Sequence, residues 1–112
     1  MNYTYKYPRP AVTTDIILTA GKSKATHILL IERKNEPYKG SWALPGGFID
    51  MDEDLEDACL RELKEETGIE GIKINQFCTV GTPGRDPRGR TITVVYMGHT
   101  EKKLSPVAGD DA

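Results

Sequence analysis

Apolar and β-branched residues gather early in the chain into two short runs, Ala11–Thr19 and Thr26–Arg33, separated by Ala20-Gly21-Lys22-Ser23-Lys24-Ala25. Runs of this length, split by turn-forming residues, predict two strands joined as a hairpin. Asn35–Ser41 breaks the pattern, and Trp42-Ala43-Leu44 reads as a short strand stopped by Pro45-Gly46-Gly47. The apolar period then lengthens to that of a helix. Asp54 in the N-cap position, with Asp57 three residues on, and Gly68 in the C′ position bound a helix predicted over Leu55–Thr67. Ile72–Val80 and Arg90–Met97 are strand-like again, joined by the polar loop Gly81–Gly89. Residues 1–9 are expected to be a mobile N-terminal segment, and Glu101–Ala112, which has no strong period, a frayed end. With no repeat, low-complexity tract or linker, the order of elements predicts a single α/β domain over residues 1–112.

Composition narrows the class. At 112 residues, 38% apolar and 29% charged, the chain suits one globular domain with a modest core. No apolar run approaches the roughly 18 residues of a membrane span, and the N-terminus lacks the apolar block of a signal peptide, which together imply a cytoplasmic protein without a membrane partner. Cys59 and Cys78 lack a C-x-x-C spacing and read as reduced, mostly buried thiols. A formal net charge of −2 offers none of the basic surplus that nucleic acid demands, so nucleic acid is not an expected partner. A phosphate ligand would have to be small, or be met by local charges and metal.

Local chemistry concentrates on the predicted helix. At about 100° per residue, Leu55, Ala58 and Cys59 form a stripe that Glu62 and Glu66 continue, so the core-facing stripe turns acidic halfway along. Glu65 lies beside them, which places three carboxylates on one arc at i, i+3 and i+4. Like charges about 5 Å apart cost about 3 kcal/mol per pair at an effective dielectric near 20. A solvated acidic face is the ordinary explanation for such a run, but here the apolar half of the stripe aims Glu62 and Glu66 at the sheet. Arg61, at i, i+4 from Glu65, can orient one carboxylate and not neutralise three. Mg²⁺ is the expected partner, with Mn²⁺ as the alternative, because it takes oxygen ligands, keeps waters and bridges carboxylates to phosphates.

These residues form a recognisable string. Gly47, five residues, Glu53, seven residues, and Arg61-Glu62-Leu63-Lys64-Glu65-Glu66-Thr67-Gly68-Ile69 match every specified position of the Nudix box, and Trp42–Phe48 extends the likeness. The chain therefore resembles the Nudix hydrolases over about residues 10–111. The resemblance implies an α/β/α sandwich with a mixed sheet and the box helix packed on it. It implies Gly47, Glu62, Glu65 and Glu66 as metal ligands, with one of the three glutamates, Glu62 and Glu65 foremost, as the base and Arg61 as an orienting cation. Gly47 also suits a tight turn, and Glu53 reads equally as a metal-site acid or as a charge favouring a helix start. The family usually continues for a further strand and a C-terminal helix, so this sequence is expected to be cut short. A late acid used by some relatives would fall on Glu101, Asp110 or, first, Asp111.

The loop Gly81–Arg90 is similar to that of Nudix enzymes acting on ADP-ribose, and Arg85 and Arg88 have the fork geometry for a phosphate or a ribose hydroxyl. The same Asp-Pro and Pro-Gly pairs also suit any tight turn. Arg33 reads equally as a substrate contact or a surface charge. Trp42 reads as core, His27 and His99 as structural or surface residues, and Tyr3, Tyr5 and Tyr7 as mobile aromatics that base stacking or a homodimer would use. The expected function is hydrolysis of a nucleoside diphosphate derivative, foremost ADP-ribose to AMP and ribose 5-phosphate. The alternatives are cleansing of oxidised nucleoside triphosphates and non-catalytic sensing of ADP-ribose.

Overall fold

The computed structural model describes residues 4–22, 27–36 and 38–101. Among the described residues seven strands and one helix follow in order: β1 Ala11–Ala20, β2 His27–Ile28, β3 Ile31–Glu32, β4 Trp42–Ala43, β5 Gly46–Phe48, α1 Leu55–Thr67, β6 Ile74–Val80 and β7 Thr91–Thr100. The main sheet runs β2-β1-β7-β6, with β5 also paired to β1. It is mixed, as expected: β1 and β7 are parallel over their whole length, and the other pairs are antiparallel. That parallel pairing has no local signal in the sequence.

Alternation along β1 sorts its side chains between two faces. Ile16 and Leu18 point toward α1 and join Cys59, Leu63, Ile74, Val94 and Tyr96 in one buried cluster. Thr13 and Asp15 point the other way. Burying each large aliphatic side chain contributes about 1.5–3 kcal/mol, so this cluster anchors α1 to the sheet. Gly68, at φ 79°, ends the helix with its N–H donated to the Lys64 carbonyl at 2.8 Å, as a C′ glycine should.

Several expectations need correction. The hairpin closes over two residue pairs, Thr19 with Ile28 and Ala20 with His27; the second run then leaves β1, and its continuation Ile31–Glu32 pairs with β4. The strand from Trp42 does end before Pro45, but Gly46-Gly47 are not a turn: Gly46–Phe48 is β5, paired with Thr13–Asp15 of β1. Asp54 has the extended backbone of an N-cap, but its side chain makes no capping bond; its carbonyl accepts the Ala58 N–H at 2.9 Å. Trp42 is 66% exposed because its two-residue strand lies outside the main sheet. Of the cysteines, Cys59 is buried and Cys78 is exposed. Burial pushes the Cys59 thiol up to about 12, which leaves it inert.

Among the described residues no helix is long and apolar enough to cross a membrane. Residues 102–112, which include Asp110 and Asp111, lie outside the described residues, as do Tyr3, Pro37 and residues 23–26 of the predicted turn.

Candidate active site

The diglycine of β5 lies between two acids on opposite faces of the sheet. Asp15 and Gly46 are cross-strand partners, and a Cβ on Gly46 would collide with the Asp15 carboxylate and with the Thr14 backbone carbonyl. On the other face a Cβ on Gly47 would stand 2.7–2.8 Å from the carboxyl atoms of Glu62. Glycine is needed here for space, since neither residue has a positive φ. Gly47, expected in a loop, is thus a strand residue over which a helix carboxylate lies.

Three of the box acids meet one cation. Arg61 donates from Nε and Nη2 to the two oxygens of Glu53, at 2.7 and 3.0 Å, a bidentate pair. Its Nη1 donates to Glu62 at 2.9 Å and to Glu65 at 3.2 Å, and Nη2 reaches the Phe48 carbonyl at 3.3 Å. Asp50 lies 3.7 Å from Nε. Arg61 therefore binds more than the single carboxylate expected of it, because the β5–α1 connection folds back and brings Glu53 alongside. Hydrogen bonding from Arg61 holds the Glu53 carboxyl below its usual range, and the same bond raises the guanidinium pKa. One guanidinium against Glu53, Glu62 and Glu65 still leaves a formal excess of two negative charges.

The box acids divide by exposure. Glu62 and Glu66 are 8% and 2% exposed, as the helical stripe predicts, and Glu66 accepts the Gly46 N–H at 3.0 Å. Glu65 has a half-exposed side chain turned to Arg61. Among the described residues no three acids, histidines or cysteines are gathered into a finished metal cage. Glu62 and Glu66 do line a cavity of about 360 Å³, together with Gly46, Gly47, Arg33 and Arg88. That volume lies in the range of small-molecule sites. Oxygen donors on two buried carboxylates beside a glycine backbone fit a hard divalent cation that keeps part of its water shell.

The loop arginines are partly spent on the fold. Arg85 donates to the Thr93 hydroxyl at 2.8 Å, and that hydroxyl also shares a 2.7 Å bond with Thr13. Arg88 pairs with both oxygens of Asp86, at 3.0 and 2.7 Å, and stacks over the Phe48 ring at 4.6 Å. The Arg88 bond draws the Asp86 carboxyl down to about 2. The turn chemistry of the loop is therefore real, and it carries Arg88 to the cavity wall. Arg33 lines the same wall from just beyond β3. Glu101 is exposed. His99 lies at the surface, its ring 2.6 Å from the Thr19 hydroxyl.

Asp15 escaped the reading of the sequence, although a carboxylate within Val-Thr-Thr-Asp-Ile-Ile-Leu is an uncommon strand residue. Burial raises its pKa from 3.8 to about 6, against the opposing fields of Arg85 and Arg88. The folded chain then holds the proton more tightly than the unfolded one, so between about pH 4 and 6 rising pH costs stability. Asp15→Asn should be more stable than wild type at pH 7 by up to about 3 kcal/mol, an advantage that shrinks to nothing near pH 4. Urea titrations of both proteins across that range measure it.

A profile of the NUDIX domain matches residues 9–112. The chain belongs to the Nudix family. Among Nudix relatives, it is 45% identical over 91 residues to an ADP-ribose pyrophosphatase of Methanocaldococcus jannaschii, a match covering 81% of this chain and 52% of that protein. It is 42% identical over 93 residues to the ADPR responsive transcriptional repressor NtrR of Acinetobacter baylyi, covering 81% of this chain and 37% of the repressor. The NUDIX domain of Shewanella oneidensis NrtR, solved in complex with ADP ribose, superposes with a TM-score of 0.81 at 37% identity, covering 96% of this chain and 75% of that one. The chain thus spans about half, or less, of the length of the two curated relatives. The mixed sheet carrying one packed helix is the Nudix fold.

Proposed function

We propose that this Nudix domain hydrolyses the pyrophosphate bond of a nucleoside diphosphate derivative, with ADP-ribose as substrate and AMP and ribose 5-phosphate as products. The observation that carries the reading is the cavity lined by the acids Glu62 and Glu66 together with the cations Arg33 and Arg88. The chain's likeness to an ADP-ribose pyrophosphatase and to a domain solved with ADP ribose supports the choice of substrate.

The chain's residues divide the work. Arg33 and Arg88 present guanidinium charge to the diphosphate, and Arg88 is braced by Asp86 and Phe48. Arg61, fixed by Glu53, holds Glu62 and Glu65 in place. Glu62 or Glu65 accepts the proton of the attacking water. Glu62, Glu66 and the Gly47 backbone would hold Mg²⁺ or Mn²⁺, with Glu65 turning from Arg61 to join them. A bound divalent ion supplies neutralisation of the phosphate oxygens and acidifies water.

The test is a substrate panel with Mg²⁺ and Mn²⁺. AMP should be released from ADP-ribose faster than any nucleoside triphosphate is consumed. Turnover of triphosphates without release of AMP from ADP-ribose would refute the substrate assignment. A second reading, ADP-ribose binding without turnover, is favoured by the likeness to the ADPR responsive repressor. Saturable binding of ADP-ribose with no AMP released under any metal would establish it.

A further inference from the structure

The cavity beside Glu62 and Glu66 shares Arg33, Leu44, Gly46, Gly47 and Arg88 with a second cavity of about 170 Å³ on the opposite face of the sheet. The two meet around β5, which pairs only with β1 among the described residues. Neighbouring Gly46 and Gly47, about 3.8 Å apart at their Cα atoms, turn opposite faces to Asp15 and Glu62. A ligand with a diphosphate beside Glu62 thus has a short path round the bare diglycine edge to Asp15.

Asp15 is what that path leads to. Its carboxylate lies over Gly46, and among the described residues it makes no hydrogen bond or ion pair, although arginines share its cavity. Two of those cations are held elsewhere: Arg85 by the Thr93 hydroxyl and Arg88 by Asp86. A partly buried carboxylate that rests only in the fields of Arg85 and Arg88, with no hydrogen bond from them, is costly to keep, and a ligand bringing hydrogen-bond donors would relieve that cost. No aromatic ring lines this end; Thr13, Thr93, Asp15, Asp86 and three arginines do, with Leu44 and the small Ala43 as its apolar side chains. Such a lining suits a polyhydroxylated group better than the flat face of a base, which calls for a stacking partner. The two oxygens of one carboxylate match two adjacent hydroxyls of a sugar.

We propose that Asp15 is a specificity residue whose carboxylate accepts hydrogen bonds from the vicinal hydroxyls of a ribose, in a subsite reached from the pyrophosphate site around the Gly46-Gly47 edge. The proposal deepens the ADP-ribose reading above and rests on it for the ligand. Calorimetric titration of the wild-type chain and of Asp15→Asn tests it, with ribose 5-phosphate, 2-deoxyribose 5-phosphate, AMP and inorganic pyrophosphate as separate probes, and ADP-ribose in a chelator. Wild type should prefer ribose 5-phosphate or AMP, whichever half carries the bound ribose, over the deoxy sugar. Asp15→Asn should bind ADP-ribose and that half at least about tenfold more weakly, lose the preference over the deoxy sugar, and leave pyrophosphate within about twofold. Its Tm should not fall below that of wild type, whereas a carboxylate serving the fold would lower it on substitution. Ribose ligands bound equally by both proteins, or a parallel loss of pyrophosphate, would overturn the assignment. Wild-type chain that binds ADP-ribose through Asp15 yet never hydrolyses it would refute the hydrolase reading while upholding this one.

Discussion

On the proposed mechanism, Glu66→Gln and Glu65→Gln are each expected to lower turnover of ADP-ribose by at least about a hundredfold, because each removes a charge assigned there to holding metal or moving a proton. The two substitutions act at different places. Glu66 is 2% exposed and accepts the Gly46 N–H at 3.0 Å, a bond a glutamine carbonyl can still accept. Glu66→Gln therefore keeps the helix tied to β5 while removing the charge. Glu65 is half exposed and bonded to Arg61 at 3.2 Å, so Glu65→Gln should leave stability almost unchanged. Steady-state rates beside urea denaturation separate the effects. Wild-type rates in both variants would remove the acidic helix face from the mechanism.

Gly46→Ala should be far more damaging than the same change at Gly47, costing about 3 kcal/mol or more and impairing folding. A Cβ there meets the Thr14 carbonyl, and backbone in a three-strand junction cannot swing aside. Gly47→Ala provides the contrast. The atoms nearest its Cβ would be the carboxyl end of Glu62, a flexible terminus that can move, so stability should fall by only about 1 kcal/mol. Displacing that carboxylate should nonetheless reduce kcat. Denaturation midpoints and kcat for the pair check the contrast, and equal stability losses in both variants would contradict the assigned geometry.

The helix was fully legible along the chain. Leu55–Thr67 has the expected bounds, Gly68 closes it in the left-handed conformation, and the Leu55-Ala58-Cys59 stripe carries Glu62 and Glu66 inward. Local geometry suffices for this: a helix turns 3.6 residues at a time, so side-chain direction follows from spacing alone. Strand existence was legible for the same reason, in β1, β6 and β7, from apolar runs between turn residues. The Nudix box, being a contiguous string, needed no fold to be recognised.

Partners across space were not legible. Gly46 and Gly47 look like a turn because Pro-Gly-Gly is turn chemistry, yet tertiary packing makes them a strand that only glycine allows between Asp15 and Glu62. Glu53 became the bidentate partner of Arg61 only once the chain folded back before α1. Asp15, one polar residue in an apolar run, had no local signal because β5 and the Arg85–Arg88 loop, which share its cavity, come from elsewhere in the chain. Sequence by itself determined what depends on neighbours within a turn or two: the helix, its acidic stripe and the family string. Tertiary structure alone decided which charges meet, because burial and ion pairing depend on distances between segments that no local period encodes.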